Sequence, residues 1–154
     1  ATTVSPYLGH DSVEPFLEYK DKGTFVLCLT SNPGYKDFQI LGAEEPLFKT
    51  VARNVKEWNK SGNCGLVVGA TNPNELKDIR TLVGDMPILI PGVGTQGGDL
   101  QSSVKNGVNK KGERAIINVS RAVTYASDRE DFAREAKLVA RKLKDEINSY
   151  RFIG

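Results

Sequence analysis

The run Ile88-Leu89-Ile90-Pro91-Gly92-Val93-Gly94-Thr95-Gln96-Gly97-Gly98-Asp99 decides how the rest of the chain is read. Its three leading apolar residues predict a short buried strand. Pro91 ends that strand, because a proline cannot donate to a central ladder. Gly92, Gly94, Gly97 and Gly98 let the backbone turn tightly and approach a ligand closely. Asp99 fits the N-cap of a helix that begins at Leu100. Strand, glycine loop and helix start together offer backbone N–H groups and the positive end of a helix dipole to an anion. The stretch therefore predicts a phosphate site.

Outward from it, the same strand-turn-helix pattern occurs five times. Strands are expected at Thr2–Ser5, Thr24–Thr30, Gly65–Gly69, Ile88–Ile90 and Ala115–Val119. The second is apolar throughout, as expected of a strand covered on both faces. Asp11 or Ser12 caps a first helix with Val13, Phe16 and Leu17 on one face, and Pro15 falls in its first turn, where proline is tolerated. Ser31-Asn32-Pro33-Gly34 is a strong turn signal, and the irregular stretch to about Glu45 is expected to lie as an ordered loop over the site. From Pro46 a helix turns Leu47, Val51, Val55 and Trp58 inward. Asn72-Pro73-Asn74-Glu75 reads as an N-cap, a proline at the first helical position and an acidic residue three on, ahead of Leu76, Ile79 and Val83. Leu100 and Val104 form the buried face of the fourth helix. Ser127 to Glu130 reads as a capping box, followed by a helix that buries Phe132, Ala136, Val139, Leu143, Ile147 and Tyr150 at steps of three and four.

Strands alternating with helices mean a parallel sheet with helices outside. In such α/β folds the ligand lies beyond the carboxyl ends of the strands. Those ends carry the small and polar residues of this chain: Pro6, Thr30-Ser31-Asn32, Gly69-Ala70-Thr71, Pro91 to Gly98, and Ser120-Arg121.

Composition narrows the function without naming it. The 154 residues suffice for one domain, and 39% hydrophobic with 26% charged residues describes an ordinary globular chain. A net charge of +2, with Lys110-Lys111 in a loop, argues for neither nucleic acid nor membrane as partner. Cys28 and Cys64 read as small buried residues in a reducing, cytoplasmic setting. One His and two Cys at unsuitable spacing exclude a zinc site, and no G-x-x-x-x-G-K-[ST] occurs. His10, beside Asp11, reads as a surface or capped histidine. Ala1 in place of an initiator Met is expected to be a processed or cut end.

Gly92 to Gly97 also fits G-x-G-x-x-G, the dinucleotide fingerprint. Against that reading, only one strand follows the loop, and the acidic residue expected about 20 positions on is replaced by Ser120-Arg121. An Arg there could still accept an NADP 2′-phosphate, so a dinucleotide oxidoreductase stays an alternative. The (β/α)8 barrel fits better, because barrels hold phosphate between the loops after their last two strands. Here those loops carry Gln96 with Gly97, and Ser120 with Arg121. A guanidinium matches phosphate bidentately, and a Gln amide can donate one bond.

Five blocks resemble the orotidine 5′-phosphate decarboxylase family: Pro6-Tyr7-Leu8-Gly9, Leu29 to Pro33, Gly65 to Thr71, Pro91 to Asp99 and Ile117 to Ala122. They occur in order and at the spacing of the subgroup with T-S-N-P and P-G-[VI]-G-x-Q-x-G-D blocks, over essentially the whole chain. The resemblance implies a TIM barrel, of which residues 1–154 form the C-terminal part, strands four to eight. It implies decarboxylation of orotidine 5′-monophosphate to UMP in pyrimidine biosynthesis, with no cofactor and no metal, in a homodimer with sites at the interface. By similarity Gln96 and Arg121 hold the 5′-phosphate, with backbone N–H groups near Gly97 and Ser120. Thr30 and Ser31 face the pyrimidine, and Pro91 lines the base pocket.

The chain also departs from the family. Its chemistry rests on a D-x-K-x-x-D block on an early strand, whose Lys protonates the carbon that loses CO2. Asp21-Lys22, Lys77-Asp78 and Lys144-Asp145 lack that spacing, and Ser5 stands where the family carries Asn before Pro6. No catalytic residue is therefore assigned in this chain. Five units fall three short of a barrel and leave two open edges and an exposed inner face. The chain alone is expected to be inactive, completed by a longer polypeptide or by a complementing N-terminal half. The alternative is a non-catalytic half barrel that binds a nucleotide phosphate.

Overall fold

The computed structural model describes residues 1–94 and 97–152. Its strands are β1 (Thr2–Val4), β2 (Thr24–Leu29), β3 (Cys64–Val68), β4 (Ile88–Pro91) and β5 (Ala115–Asn118). The helices are α1 (His10–Leu17), α2 (Leu47–Trp58), α3 (Pro73–Val83), α4 (Leu100–Gly107), the single turn α5 (Arg121–Thr124) and α6 (Phe132–Tyr150). All five apolar runs became strands, each within a residue of its expected bounds at either end.

The strands form one parallel sheet in the order β1-β2-β3-β4-β5. That order separates the two readings of the glycine loop. A doubly wound dinucleotide sheet reverses direction at a switch point, whereas here each strand lies beside the next without reversal. Right-handed crossovers in such an order carry the connecting helices to one face, which is how a barrel is wound. Burial agrees. Val26, Leu66, Val68, Ile88 and Ile90 are fully buried in the core between sheet and helices. On the alternate positions Phe25, Leu27 and Leu89 are only half-buried, and Ile116 is 44% exposed.

The expectation that β2 is covered on both faces is thus corrected: its burial alternates up to Cys28, and the central strand β3 is the one buried throughout. An all-apolar strand is equally what a barrel interior requires.

Other corrections follow from tertiary packing. In α2 the buried residues are Phe48, Ala52 and Val55; Val51 and Trp58 pack at the margin, and Leu47 is exposed. In α1 Val13 is buried, Leu17 packs at the margin and Phe16 is exposed. This helix begins at His10, after Gly9, so Pro15 lies inside it rather than in its first turn; Ser12 Oγ bonds back to Gly9 O at 2.7 Å. The long helix α6 exists, but none of its residues is buried and Phe132 is 61% exposed. It packs mainly on α4 and α5, which leave its apolar stripe half-buried. Nor does Ser127 cap it. That hydroxyl donates to Asp131 Oδ1 and accepts from Arg129 N, closing a turn ahead of the helix.

Arg80 is the one charged side chain in the described core, 8% exposed. Nε donates to Gly107 O at 2.8 Å, Nη1 to Met86 O at 2.7 Å and to Gly84 O at 2.5 Å, and Nη2 to Arg114 O at 2.9 Å. One guanidinium thereby satisfies carbonyls from the turn after α3, the end of α4 and the turn before β5, at the sheet end opposite the glycine loop. Burial lowers its pKa to about 10, partly offset by Asp85, so it remains charged at neutral pH.

Candidate phosphate and base site

The carboxyl ends of β2 to β5 are joined into a continuous rim. Gly69 N donates to Leu29 O at 2.7 Å, Ala70 N donates to Pro91 O at 2.8 Å, and Pro91 stands in register with Asn118. The segments after these ends carry the described ones among the expected site residues, so Thr30-Ser31, Pro91 to Gly94 with Gly97-Gly98, and Ser120-Arg121 follow one another around one end of the sheet. Gln96 lies outside the described residues, as does Thr95.

The glycine loop is laced to itself. Gly98 N donates to Gly92 O at 3.1 Å, Gly94 N to Gly98 O at 3.0 Å, and Gly97 N to Gly94 O at 2.8 Å. Gly92, Gly94 and Gly97 have φ of 96°, 79° and 86°, a region that side chains avoid. A Cβ on Gly98 would lie 2.5 Å from Ala70 Cβ, so the loop sits directly on the end of β3. The N–H groups of Gly97 and Gly98 are therefore engaged within the loop.

At the start of α4, Asp99 behaves as its sequence position predicts. Oδ1 accepts from Ser102 N at 2.7 Å, and Ser103 Oγ donates to Asp99 O at 2.6 Å. The bond from the Ser102 N–H holds the carboxyl below the usual carboxylate range. This negative charge occupies the helix end that the sequence offered to an anion. The positive charge at the rim comes instead from Arg121, the exposed first residue of α5, which makes no ion pair with the described residues. Ser120 precedes it, also exposed, with its carbonyl accepting from the N–H of Val123 and of Thr124.

Thr30 and Ser31, half-buried at the end of β2, are where the sequence puts them. Sequence reasoning missed what holds them: Gln39 pairs with Thr30 N and Oγ1, and Asn72 Nδ2 donates to Thr30 O at 3.3 Å. Asn72 is the N-cap of α3 by position, but its side chain makes no cap bond and turns to the neighbouring strand end. The sequence carried no signal for this, since an Asn ahead of a Pro reads the same whether or not its side chain caps the helix. The stretch from Ser31 to Pro46 contains a 3₁₀ turn, Pro33–Asp37. Beside it a cavity of about 830 Å³ opens between the ends of β1 and β2 and α2, with Thr30, Gln39, Cys28, Asn54, Phe38 and Trp58 on its walls. Trp58, expected in the core, lies in this wall with its ring 5.0 Å from that of His10. Burial pushes the Cys28 thiol up to about 12 and the Cys64 thiol to about 11, which suits packing rather than nucleophilic chemistry. Among the described residues no cluster of His, Cys, Asp and Glu could hold a metal ion, and no helix is long and apolar enough to cross a membrane.

The family model described as orotidine 5′-phosphate decarboxylase / HUMPS matches residues 1–136. The chain belongs to that family. An orotidine 5′-phosphate decarboxylase of Azoarcus sp. (strain BH72) is 54% identical over 153 residues, covering 98% of this chain and 57% of the relative. The structure of Leishmania donovani OMP decarboxylase superposes with a TM-score of 0.86 at 40% identity, over 97% of this chain and 56% of that one. The structure of Leishmania donovani UMP synthase gives 0.89 at 43% identity, over 99% of this chain and 33% of that one. The chain thus spans little more than half the length of the decarboxylases it matches. The open, singly wound sheet is a partial barrel of the decarboxylase fold, and the dinucleotide reading of its glycine loop falls with the strand order.

Proposed function

We propose that this chain is the C-terminal part of an orotidine 5′-phosphate decarboxylase, covering its last five βα units. It supplies the half of the site that grips the phosphate and base of orotidine 5′-monophosphate and of the product UMP. The observation that carries the reading is the 54% identity to a decarboxylase over nearly the whole chain. In this reading Arg121 and Gln96 hold the 5′-phosphate from the loops after β5 and β4, beside Ser120. Gly97 leaves room for the phosphate to approach. Pro91, Thr30 and Ser31 border the pyrimidine.

The Lys that delivers a proton to the carbon losing CO2, with its flanking carboxylates, belongs to the early units. Those units complete the barrel over the half-buried face of Phe25, Leu27 and Leu89, either in one polypeptide or as a complementing half, and the complete protein works as a homodimer. No cofactor takes part, and two free, buried cysteines suit a cytoplasmic setting.

The test joins this chain to the N-terminal βα units of the Azoarcus relative and follows the loss of orotidine 5′-monophosphate. The joined protein is expected to form UMP, and the chain alone to bind UMP without turning substrate over. Full activity from the chain alone, or none from the joined protein, would overturn the reading.

A further inference from the structure

Thr30 is held on all of its polar groups. Its N–H meets Gln39 Oε1 at 2.8 Å. A backbone N–H can only donate, so the atom facing it must be the amide oxygen, and Nε2 must then face the Thr30 hydroxyl. It does so at 2.9 Å, whereas the path from that hydroxyl to Oε1 measures 3.3 Å. Asn72 takes the Thr30 carbonyl from the other side. Gln39 is itself fixed by its backbone: its N–H donates to Tyr35 O at 2.8 Å and its carbonyl accepts from Phe48 N at 2.9 Å. The next residue, Ser31, is pressed against Gly69, where a Cβ would lie 2.8 Å from Ser31 N and 2.9 Å from Ser31 Cα and Cβ. Ser31 is thus placed twice over, by the bare backbone at position 69 and by the anchoring of the residue before it. The β2 ladder ends at Leu29 and does not require this anchoring.

We infer that Gln39 is a positioning residue of the nucleotide site: its amide locks the Thr30–Ser31 step on the rim so that Ser31 meets the pyrimidine ring. The inference rests on the function proposed above. It gives the irregular segment after β2 a specific task, which is to bring one amide back to the strand end.

The test measures the affinity of the full chain for UMP and for ribose 5-phosphate, which has the phosphate but no base. Gln39→Leu keeps the bulk and removes both bonds; it is expected to weaken UMP about tenfold and leave ribose 5-phosphate unchanged. Gln39→Glu still accepts from the Thr30 N–H and can accept from its hydroxyl, so it is expected to stay within about threefold of the parent. Ser31→Ala is expected to lose UMP affinity alone, and adding Gln39→Leu to it to cost little more. Equal weakening of both ligands, or no weakening of either, would overturn the inference. If Gln39→Leu does not fold by circular dichroism, Ser31→Ala decides, and unchanged UMP affinity there is equally fatal. A parent chain that binds neither ligand refutes the proposed function instead. Loss of both ligands in Arg121→Ala with no selective effect at Gln39 or Ser31 refutes only this inference.

Discussion

Arg80 Nε donates to the carbonyl of Gly107 at 2.8 Å and so ties the end of α3 to the end of α4. The same guanidinium serves Met86 and Arg114. Arg80→Met would keep the aliphatic bulk and strand these carbonyls in a buried region. An unfolding free energy lower by about 3 kcal/mol is expected from urea denaturation, since each unsatisfied buried acceptor costs about 1–3 kcal/mol. Arg80→Lys is expected to recover only part of that, because an ammonium on a single stem cannot reproduce the spread of the guanidinium fork. A loss under about 0.5 kcal/mol, the range of surface substitutions, would show the network to be dispensable.

Arg121 carries the phosphate reading. Arg121→Ala is expected to weaken UMP by about 2 kcal/mol, as for a lost hydrogen bond to a charged group, and to leave uridine affinity unchanged. Calorimetric titration with the two ligands reads both. Equal effects on UMP and uridine would remove Arg121 from the phosphate.

The Asp99 cap gives α4 a pH dependence. Its carboxyl is more acidic folded than unfolded, so the cap contributes fully above the unfolded pKa, near 4, and is lost as pH falls through the lower folded value. Asp99→Ala is expected to cost about 1 kcal/mol at pH 7. Asp99→Asn keeps an acceptor and flattens the acid limb of the stability curve. Identical acid limbs in parent and Asn variant would contradict the assignment.

The two cysteines report opening of the core. Cys28 Sγ donates to Phe48 O at 3.2 Å, and both thiols are buried with raised pKa values. A thiol reagent at pH 8 is expected to label neither in the folded chain and both in urea. Stoichiometric labelling within the mixing time of the native chain would be incompatible with this packing.

The two faces of the sheet should respond differently to the same truncation. Ile90 is fully buried in the core, and Ile116 is 44% exposed on the alternate face. Ile90→Ala is expected to cost about 3 kcal/mol, in the range for cavities in a packed core, and Ile116→Ala under about 1 kcal/mol. Similar losses at both positions would mean that the inner face is covered after all.

The apolar runs located all five strands, because a stretch such as Ile88 to Ile90 is short, β-branched and bounded by proline and glycine, which suits a strand and not a helix. Asp99 and the Leu76, Ile79, Val83 stripe of α3 were equally legible, since local periodicity and capping determine them. Position in the complete fold was not. The sequence of β2 is the same whether its second face meets helices or a barrel interior, and the stripe of α6 does not reveal that α4 and α5 cover it only in part. At the rim, Arg121 and Ser31 could be placed by strand ends and motif, whereas Gln39 and Asn72 could not. Asn72 meets Thr30 only once the strands are side by side, and Gln39 reaches it only because the irregular segment after β2 folds back on the strand end.

Each strand of this sheet meets only those next to it along the chain. The consequence is kinetic. No strand pairs beyond the next βα unit, yet every parallel pairing still closes a loop that holds a helix, so each step carries a loop-closure cost and the sheet forms slowly. The sheet can grow one βα unit at a time, every new strand docking on an edge laid down just before it. A polypeptide of this topology emerging from the ribosome would always present a ready template to the unit that follows.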